Sequence, residues 1–245
     1  MAYDISYCIL GFKDCGMATL PGYSIQKRPE MIEFVPVRRA RVLEIGCAEG
    51  DFLATVPGIK EAWGIEPSSA AQVARGRLHR VFQATFDEVE TELPASYFDV
   101  IICNDVIEHM PDHDAFFSKI SRCMAPGGMI IGSIPNVRFY QNLFQLLFEK
   151  DWDYTDAGIL DRTHLRFFTE KSFRKCLRRH GMILNRFQGL TTNIGRSGSP
   201  RERIYRGIAH MLACATFGYF SDIRYLQFAF QASLHAAHPA ALRVG

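Results

Sequence analysis

The sequence predicts an α/β fold built on a mostly parallel sheet. Two observations carry this. Short apolar runs alternate with helix-like stretches, the rhythm of βαβ units. One run, Val42-Leu43-Glu44-Ile45, leads straight into a small-residue turn, Gly46-Cys47-Ala48-Glu49-Gly50. A buried strand that ends in such a turn lets backbone approach a ligand without Cβ clashes, at the open end of a parallel strand.

The elements follow in order. Residues 28–34 read as a short helix with Pro29 placed early in it. Strands are expected at 41–45, 62–65, 81–84, 99–103 and 129–133, and later at 183–188 and 225–232. Helices are expected at 70–75, 112–123 and 169–180. Two regions interrupt the rhythm. Residues 137–168 are rich in aromatics. Residues 196–222 begin as a polar loop and continue as an apolar helix-like run. The last residues, 235–245, read as a frayed tail.

Bulk properties bound the answer. The chain has 245 residues, enough for one large domain with insertions and a sizeable core. Hydrophobic content of 48% and charged content of 22% describe an ordinary globular protein. A formal charge of +2 argues for no nucleic-acid partner by itself. The seven cysteines are scattered without a CxxC pair, which points to free thiols in a reducing, cytoplasmic setting. No basic-then-apolar run marks a signal peptide near Asp4. The longest apolar stretch, residues 208–220, falls short of the roughly 20 residues a membrane span needs. Residues 204–220 read as core or dimer packing, beside the alternatives of a run that lies on a membrane surface or covers the active site. Oligomeric state is unspecified.

Two acids sharpen the ligand site. Glu44 lies inside the strand before the turn, placed to meet the amino group of a zwitterionic ligand. Glu66 ends the next strand, Trp63-Gly64-Ile65-Glu66, where a carboxylate accepts both hydroxyls of a ribose. The plainer readings make Glu44 a capping acid and Glu66 a loop acid. Gly46 and Gly50 alone would also suit a nicotinamide dinucleotide; Glu44 inside the strand argues against that.

These residues resemble the class I S-adenosylmethionine-dependent methyltransferases, whose pattern is apolar residues, an acid, then Gly-x-Gly-x-Gly. Ala48 stands at the middle glycine. The resemblance continues through Phe98-Asp99-Val100-Ile101-Ile102-Cys103-Asn104-Asp105, Pro126-Gly127-Gly128 and Ser133-Ile134-Pro135-Asn136. It implies a Rossmann-like seven-stranded, mostly parallel sheet flanked by helices, the last strand antiparallel, with helical insertions. It implies S-adenosyl-L-methionine held by Glu44, Gly46, Cys47, Ala48 and Gly50. Glu66 and Pro67 would follow on the ribose side, Thr85 and Phe86 at the adenine, and Asn104 and Asp105 at the methionine end. Tyr23 lies in a preceding region that folds over the cofactor in similar proteins. The implied organisation is an N-terminal cap region (1–36), a methyltransferase domain (37–234) and a tail (235–245). Within the domain, 137–168 is a substrate-side insertion and 196–222 a helical one.

Asp105, Glu108 and His109 form a second constellation. If the segment turns as a helix, their i, i+3, i+4 spacing puts all three on one face. Such a face can hold a hard divalent cation or a water. Alternatively His109 acts alone as a general base, or the set is a solvated polar loop. Ubiquinone-pathway O-methyltransferases carry a similar acid-x-x-Glu-His motif. So do plant small-RNA 2′-O-methyltransferases, in which these residues and a later histidine hold magnesium. The later histidine here is His164, in Leu160-Asp161-Arg162-Thr163-His164-Leu165-Arg166-Phe167-Phe168-Thr169. That segment resembles a marker of bacterial methyltransferases met with glycan and natural-product pathways. The implied metal set is Asp105, Glu108, His109 and His164, with Mg2+ or another divalent cation. The implied bases are His109 and His164. Arg162 and Arg166 are candidates to hold an anionic or sugar-bearing substrate, or belong to a loop pinned by salt bridges.

The expected activity is methyl transfer to a hydroxyl of a sugar, glycan or small natural product. The alternatives are a small-RNA or quinone-precursor O-methyltransferase and a non-catalytic S-adenosylmethionine-binding partner protein. The basic stretch Lys171, Arg174, Lys175, Arg178 and Arg179 reads as a solvated helix face.

Overall fold

The computed structural model describes residues 28–36, 40–191 and 199–235. Tyr23 and the tail beyond His235 lie outside them. The chain divides into two compact units. The first comprises residues 1–102 and 123–126, the second residues 103–122 and 127–245.

Seven strands form one sheet in the order β3-β2-β1-β4-β5-β7-β6. They are β1 (Ala40–Ile45), β2 (Ile59–Ile65), β3 (Arg80–Phe82), β4 (Phe98–Asn104), β5 (Met124–Pro135), β6 (Met182–Leu190) and β7 (Gln227–Leu234). β1 pairs in parallel with β2 and β4, and β2 with β3. β7 runs antiparallel to both β5 and β6. The Rossmann-like sheet with an antiparallel last strand is therefore present.

In the first unit, α1 (Pro29–Ile32), α2 (Asp51–Thr55), α3 (Ala71–Ala74) and α4 (Phe86–Val89) flank the strands. β1 is buried on both faces, with Val42 and Leu43 fully covered, as a central parallel strand of β-branched and aliphatic residues should be. Thr85 starts α4 with a capping box closed by Glu88.

The second unit carries α5 (His113–Cys123), α6 (Tyr140–Phe144), α7 (Glu170–Arg179) and α8 (Pro200–Ala215). α7 buries Phe173, Cys176 and Leu177 at helical spacing. Its Lys171, Lys175, Arg178 and Arg179 face solvent, while Arg174 pairs with Glu170 at 2.8 Å. α8 opens on Ser199, which exchanges hydrogen bonds with Glu202, and on Pro200 in the first turn. Phe139, Tyr140 and Phe144 pack with Ile159, Ala209 and Ile223 into a separate apolar cluster. These three aromatics are core, whereas Phe148 is exposed. Among the described residues no helix is long and apolar enough to cross a membrane.

Several expected boundaries shift. The fifth strand starts five residues before position 129, at Met124. Pro126-Gly127-Gly128, read as the turn that precedes this strand, lies inside it, with Gly127 in left-handed backbone at φ 75°. The short helices at 51–55, 86–89 and 140–144 had too few turns to show periodicity. The i, i+3, i+4 helix through Asp105 is absent. Asp105 has φ 53°, left-handed, and only Ile107–His109 coil, as a 3-10 turn.

Candidate functional site

The first unit contains a cradle at the end of β1. Three residues at alternate positions take left-handed backbone: Gly46 (φ 72°), Ala48 (φ 46°) and Gly50 (φ 78°). Glycine adopts this at no steric cost, whereas Ala48 pays for its Cβ. The loop's amides are largely committed. Gly46 and Cys47 donate to the Ile65 carbonyl at 2.8 and 3.1 Å, and Gly50 to the Cys47 carbonyl at 2.7 Å. Ala48 donates to Glu66 Oε2 at 3.0 Å. The other Glu66 oxygen accepts from Ser68 N at 2.9 Å. A carboxylate offers about four acceptor positions, so these two bonds leave capacity for a ligand. Pro67 follows Glu66 directly in the chain.

Close packing fixes the loop's floor. A Cβ on Gly64 would lie 2.5 Å from Cys47 Sγ and 2.9 Å from Leu78 Cδ1. Burial, reinforced by the Glu44 and Glu66 charges, pushes the Cys47 thiol far above its usual range, so it is a packing group. Arg77, which no motif announced, holds the far side of the loop. Its Nη1 reaches the Glu49 carbonyl at 2.7 Å and Asp51 Oδ1 at 2.9 Å.

Glu44 is the informative residue. Its side chain is 3% exposed, and Oε2 is buried without a hydrogen-bond partner among the described residues. Burial holds the carboxyl well above the ordinary carboxylate range, although the Arg28 charge and a Leu53 backbone hydrogen bond pull the other way. A buried carboxylate oxygen left open beside a small-residue loop suits the ammonium of an amino-acid-bearing ligand. The cradle therefore fits S-adenosylmethionine. Thr85 caps α4, and Phe86 is 3% exposed, in the core of this unit.

The second unit contains the other constellation. The ligand atoms of Glu108, His109 and His164 all lie within 4.8 Å of one another. Glu108 is fully buried, and its Oε1 stands 3.9 Å from His164 Nε2. The two imidazoles meet edge to face, with centroids 4.7 Å apart. His109 Nδ1 lies 3.1 Å from the Thr163 carbonyl, and His164 Nδ1 2.9 Å from the Ile159 carbonyl. A carbonyl only accepts, so both Nδ1 atoms donate and both Nε2 atoms keep a lone pair when neutral. Burial, then the neighbouring His164, lowers the His109 pKa and favours that neutral form. Backbone bonds from Leu165 N (2.8 Å) and Arg166 N (3.0 Å) to the Glu108 carbonyl tie the two segments together. Two imidazoles with oriented Nδ1–H groups plus one carboxylate fit a divalent cation.

Asp105 is not brought into that set of donor atoms. Its Oδ1 accepts from Ser133 Oγ at 2.9 Å and Gln227 Nε2 at 3.0 Å, and its left-handed backbone turns it out of line with Glu108. Nothing local to Asp105 pointed to Gln227, which is 122 residues away. Asn104, its neighbour, has a side-chain amide whose nitrogen and oxygen are both buried without a hydrogen-bond partner among the described residues. The candidate substrate arginines are tied down locally. Arg162 pairs with Asp156 at 2.9 Å, and Arg166 donates to the Pro111 and Leu165 carbonyls.

The comparisons agree with this geometry. A family profile described as a methyltransferase domain matches residues 23–183. A ubiquinone biosynthesis O-methyltransferase of Rhodopseudomonas palustris strain HaA2 is 26% identical over 162 residues, covering 62% of each chain. A probable S-adenosylmethionine-dependent methyltransferase of Mycolicibacterium smegmatis is 36% identical over 98 residues, covering 39% of this chain and 38% of that one. The chain thus spans less than two thirds of the length of these relatives. Among solved structures, an S-adenosylmethionine-dependent methyltransferase from Archaeoglobus fulgidus shares the fold, with TM-score 0.56 and 20% identity over 84% of this chain and 90% of that one. The [4+2]-cyclase SpnF shares it too, with TM-score 0.56 and 17% identity over 92% of this chain and 87% of that one. With the matched profile covering well over half its length, the chain belongs to the class I S-adenosylmethionine-dependent methyltransferase family.

Proposed function

We propose that this protein transfers a methyl group from S-adenosylmethionine to a hydroxyl of a small molecule: a sugar, a glycan or a natural product. The observation that carries the donor half is Glu44, a buried carboxylate with one oxygen unpartnered among the described residues, beside a loop pinned by Glu66. The bound donor supplies an electrophilic methyl carbon. Glu44 fixes the donor's ammonium end. Glu66 fixes the loop and accepts from the ribose. Holding the reacting atoms in line provides much of the acceleration.

The acceptor half rests on Glu108, His109 and His164. As the acceptor oxygen takes the methyl carbon and the carbon–sulfur bond breaks, the hydroxyl proton passes to a lone-pair Nε2 of His109 or His164. A second reading is favoured by the same donor set: Glu108, His109 and His164 hold Mg2+ or another divalent cation, which lowers the hydroxyl pKa. A quinone-precursor acceptor is the alternative that the name of the Rhodopseudomonas relative supports. The low net charge weighs against RNA. The cyclase among the structural neighbours keeps a role without methyl transfer in view.

The test is a labelled-methyl assay over sugars, quinone precursors and small metabolites, with and without a chelator. His164→Ala should abolish turnover and leave donor binding intact. Undiminished turnover in that variant removes the histidine from the reaction. A chelator-insensitive wild type removes the cation.

A further inference from the structure

The second unit holds a cavity of about 330 Å3 that no step above uses. Phe139, Tyr140 and Tyr225 supply its aromatic walls. Thr191, Arg206, His210 and Arg224 supply its polar lining, and no aspartate or glutamate among the described residues contributes to it. The volume lies in the range of small-ligand pockets, about 300–1,000 Å3.

The cationic groups are placed by fold elements. Arg206 and His210 stand one helical turn apart on α8 and face the same cavity. Arg224 follows Ile223, which is buried at 1% exposure. Asn136, fully buried, donates to the Asp222 carbonyl at 2.8 Å and the Tyr225 carbonyl at 2.9 Å, which clamps the segment on both sides of Arg224. The one acid of that segment, Asp222, is neutralised by Arg138 at 2.5 Å. Glu202, one turn before Arg206, caps α8 through Ser199 and accepts from Gln141. Three other arginines of this unit are paired: Arg162 with Asp156, Arg174 with Glu170 and Arg201 with Glu149. Arg206 and Arg224 have no carboxylate partner among the described residues.

We propose that this cavity binds a phosphomonoester carried on a flat ring. Two guanidiniums and an imidazole exceed what a single carboxylate would match. A phosphomonoester brings a charge of about −1.5 to −2 at neutral pH and three acceptor oxygens. Guanidinium pairs with phosphate in bidentate fashion. The aromatic wall offers the ring apolar contact, and the exposed flank of α8 leaves the phosphate reachable. The inference stands apart from the methyl-transfer reading, because its test needs neither donor nor turnover.

The test titrates the full chain with 1-naphthyl phosphate, followed by ligand fluorescence, beside 1-naphthol and inorganic phosphate. Saturable binding is expected, weakened about tenfold or more in Arg206→Gln and in Arg224→Gln. Arg203→Gln, on α8 but not lining the cavity, should bind as the wild type does. Naphthol and inorganic phosphate should each bind at least about tenfold more weakly than the ester. The proposal is overturned if the ester binds no better than naphthol, or if Arg203→Gln weakens binding as much as the cavity variants. Wild-type affinity in both Arg206→Gln and Arg224→Gln, each with an unchanged melting temperature, overturns it as well.

Discussion

The backbone amide of Ala48 donates to Glu66 Oε2 at 3.0 Å, so the residue expected to bind the ribose also holds the turn in shape. Ala48 lies in the turn after β1 and Glu66 directly after β2, its parallel neighbour. Glu66→Gln replaces a charged acceptor with a neutral one. Hydrogen bonds to charged groups contribute about 1.5–3 kcal/mol, so S-adenosylmethionine affinity should fall about tenfold or more in calorimetry. Ala48→Gly relieves left-handed strain at φ 46°. It should stabilise the fold by up to about 1 kcal/mol net of the added chain entropy, and leave donor affinity no weaker. A clear loss of stability in Ala48→Gly would mean that the loop is not held as described.

Glu44 sets a pH dependence. Its folded carboxyl is raised by burial above the ordinary 4.5. The folded chain therefore keeps a proton that the unfolded chain has lost, and stability falls as pH rises from the unfolded pKa through the folded one. Glu44→Gln removes that slope. The melting temperature of the variant relative to wild type should climb as pH rises above about 5, while its donor affinity drops about tenfold or more. A variant less stable than wild type at the upper end of the pH range would contradict a costly buried charge.

Gly64 and Cys47 should behave as a coupled pair. The Cβ of Gly64→Ala would meet Cys47 Sγ at 2.5 Å, which forces the cradle loop or the strand to move. Overpacking of this kind costs about 1–3 kcal/mol. Cys47→Ala in the same chain should recover a large part of that loss, leaving the contact with Leu78. A double-mutant cycle in urea checks it; strict additivity would deny the contact.

Glu108, His109 and His164 separate the two readings of the acceptor half. If a cation is held there, Glu108→Gln and His164→Ala should each lower its affinity about 10-fold to 100-fold or more, measured by calorimetry with Mg2+ or Mn2+. Donor affinity should not change. Absence of cation binding by the wild type leaves the histidines as proton acceptors only.

Much of the fold was legible because each strand is a short apolar run closed by a turn, as Val42 to Gly50 shows. The parallel order followed from the alternation with helices. The short helices at 51–55 and 86–89 were not legible, since one turn shows no period. In the site, Glu44 and Glu66 stood out because an acid inside or at the end of an apolar strand needs a reason. The partners of those residues did not. Arg77 on the cradle, and Ser133 and Gln227 on Asp105, act through contacts that only the folded chain creates. The single-face helix through Asp105 failed for a local reason: the backbone goes left-handed there, and spacing alone cannot show that. Arg206 lay inside the 196–222 insertion and Arg224 just after it, and neither stood out, because the cavity they share is assembled from segments far apart in the chain.

The central claim is the donor, and calorimetry with S-adenosylmethionine against NAD tests it most directly. S-adenosylmethionine should bind one to one, with affinity lost in Glu44→Gln and Glu66→Gln, and NAD should give no saturable heat. NAD binding without S-adenosylmethionine binding would contradict the account.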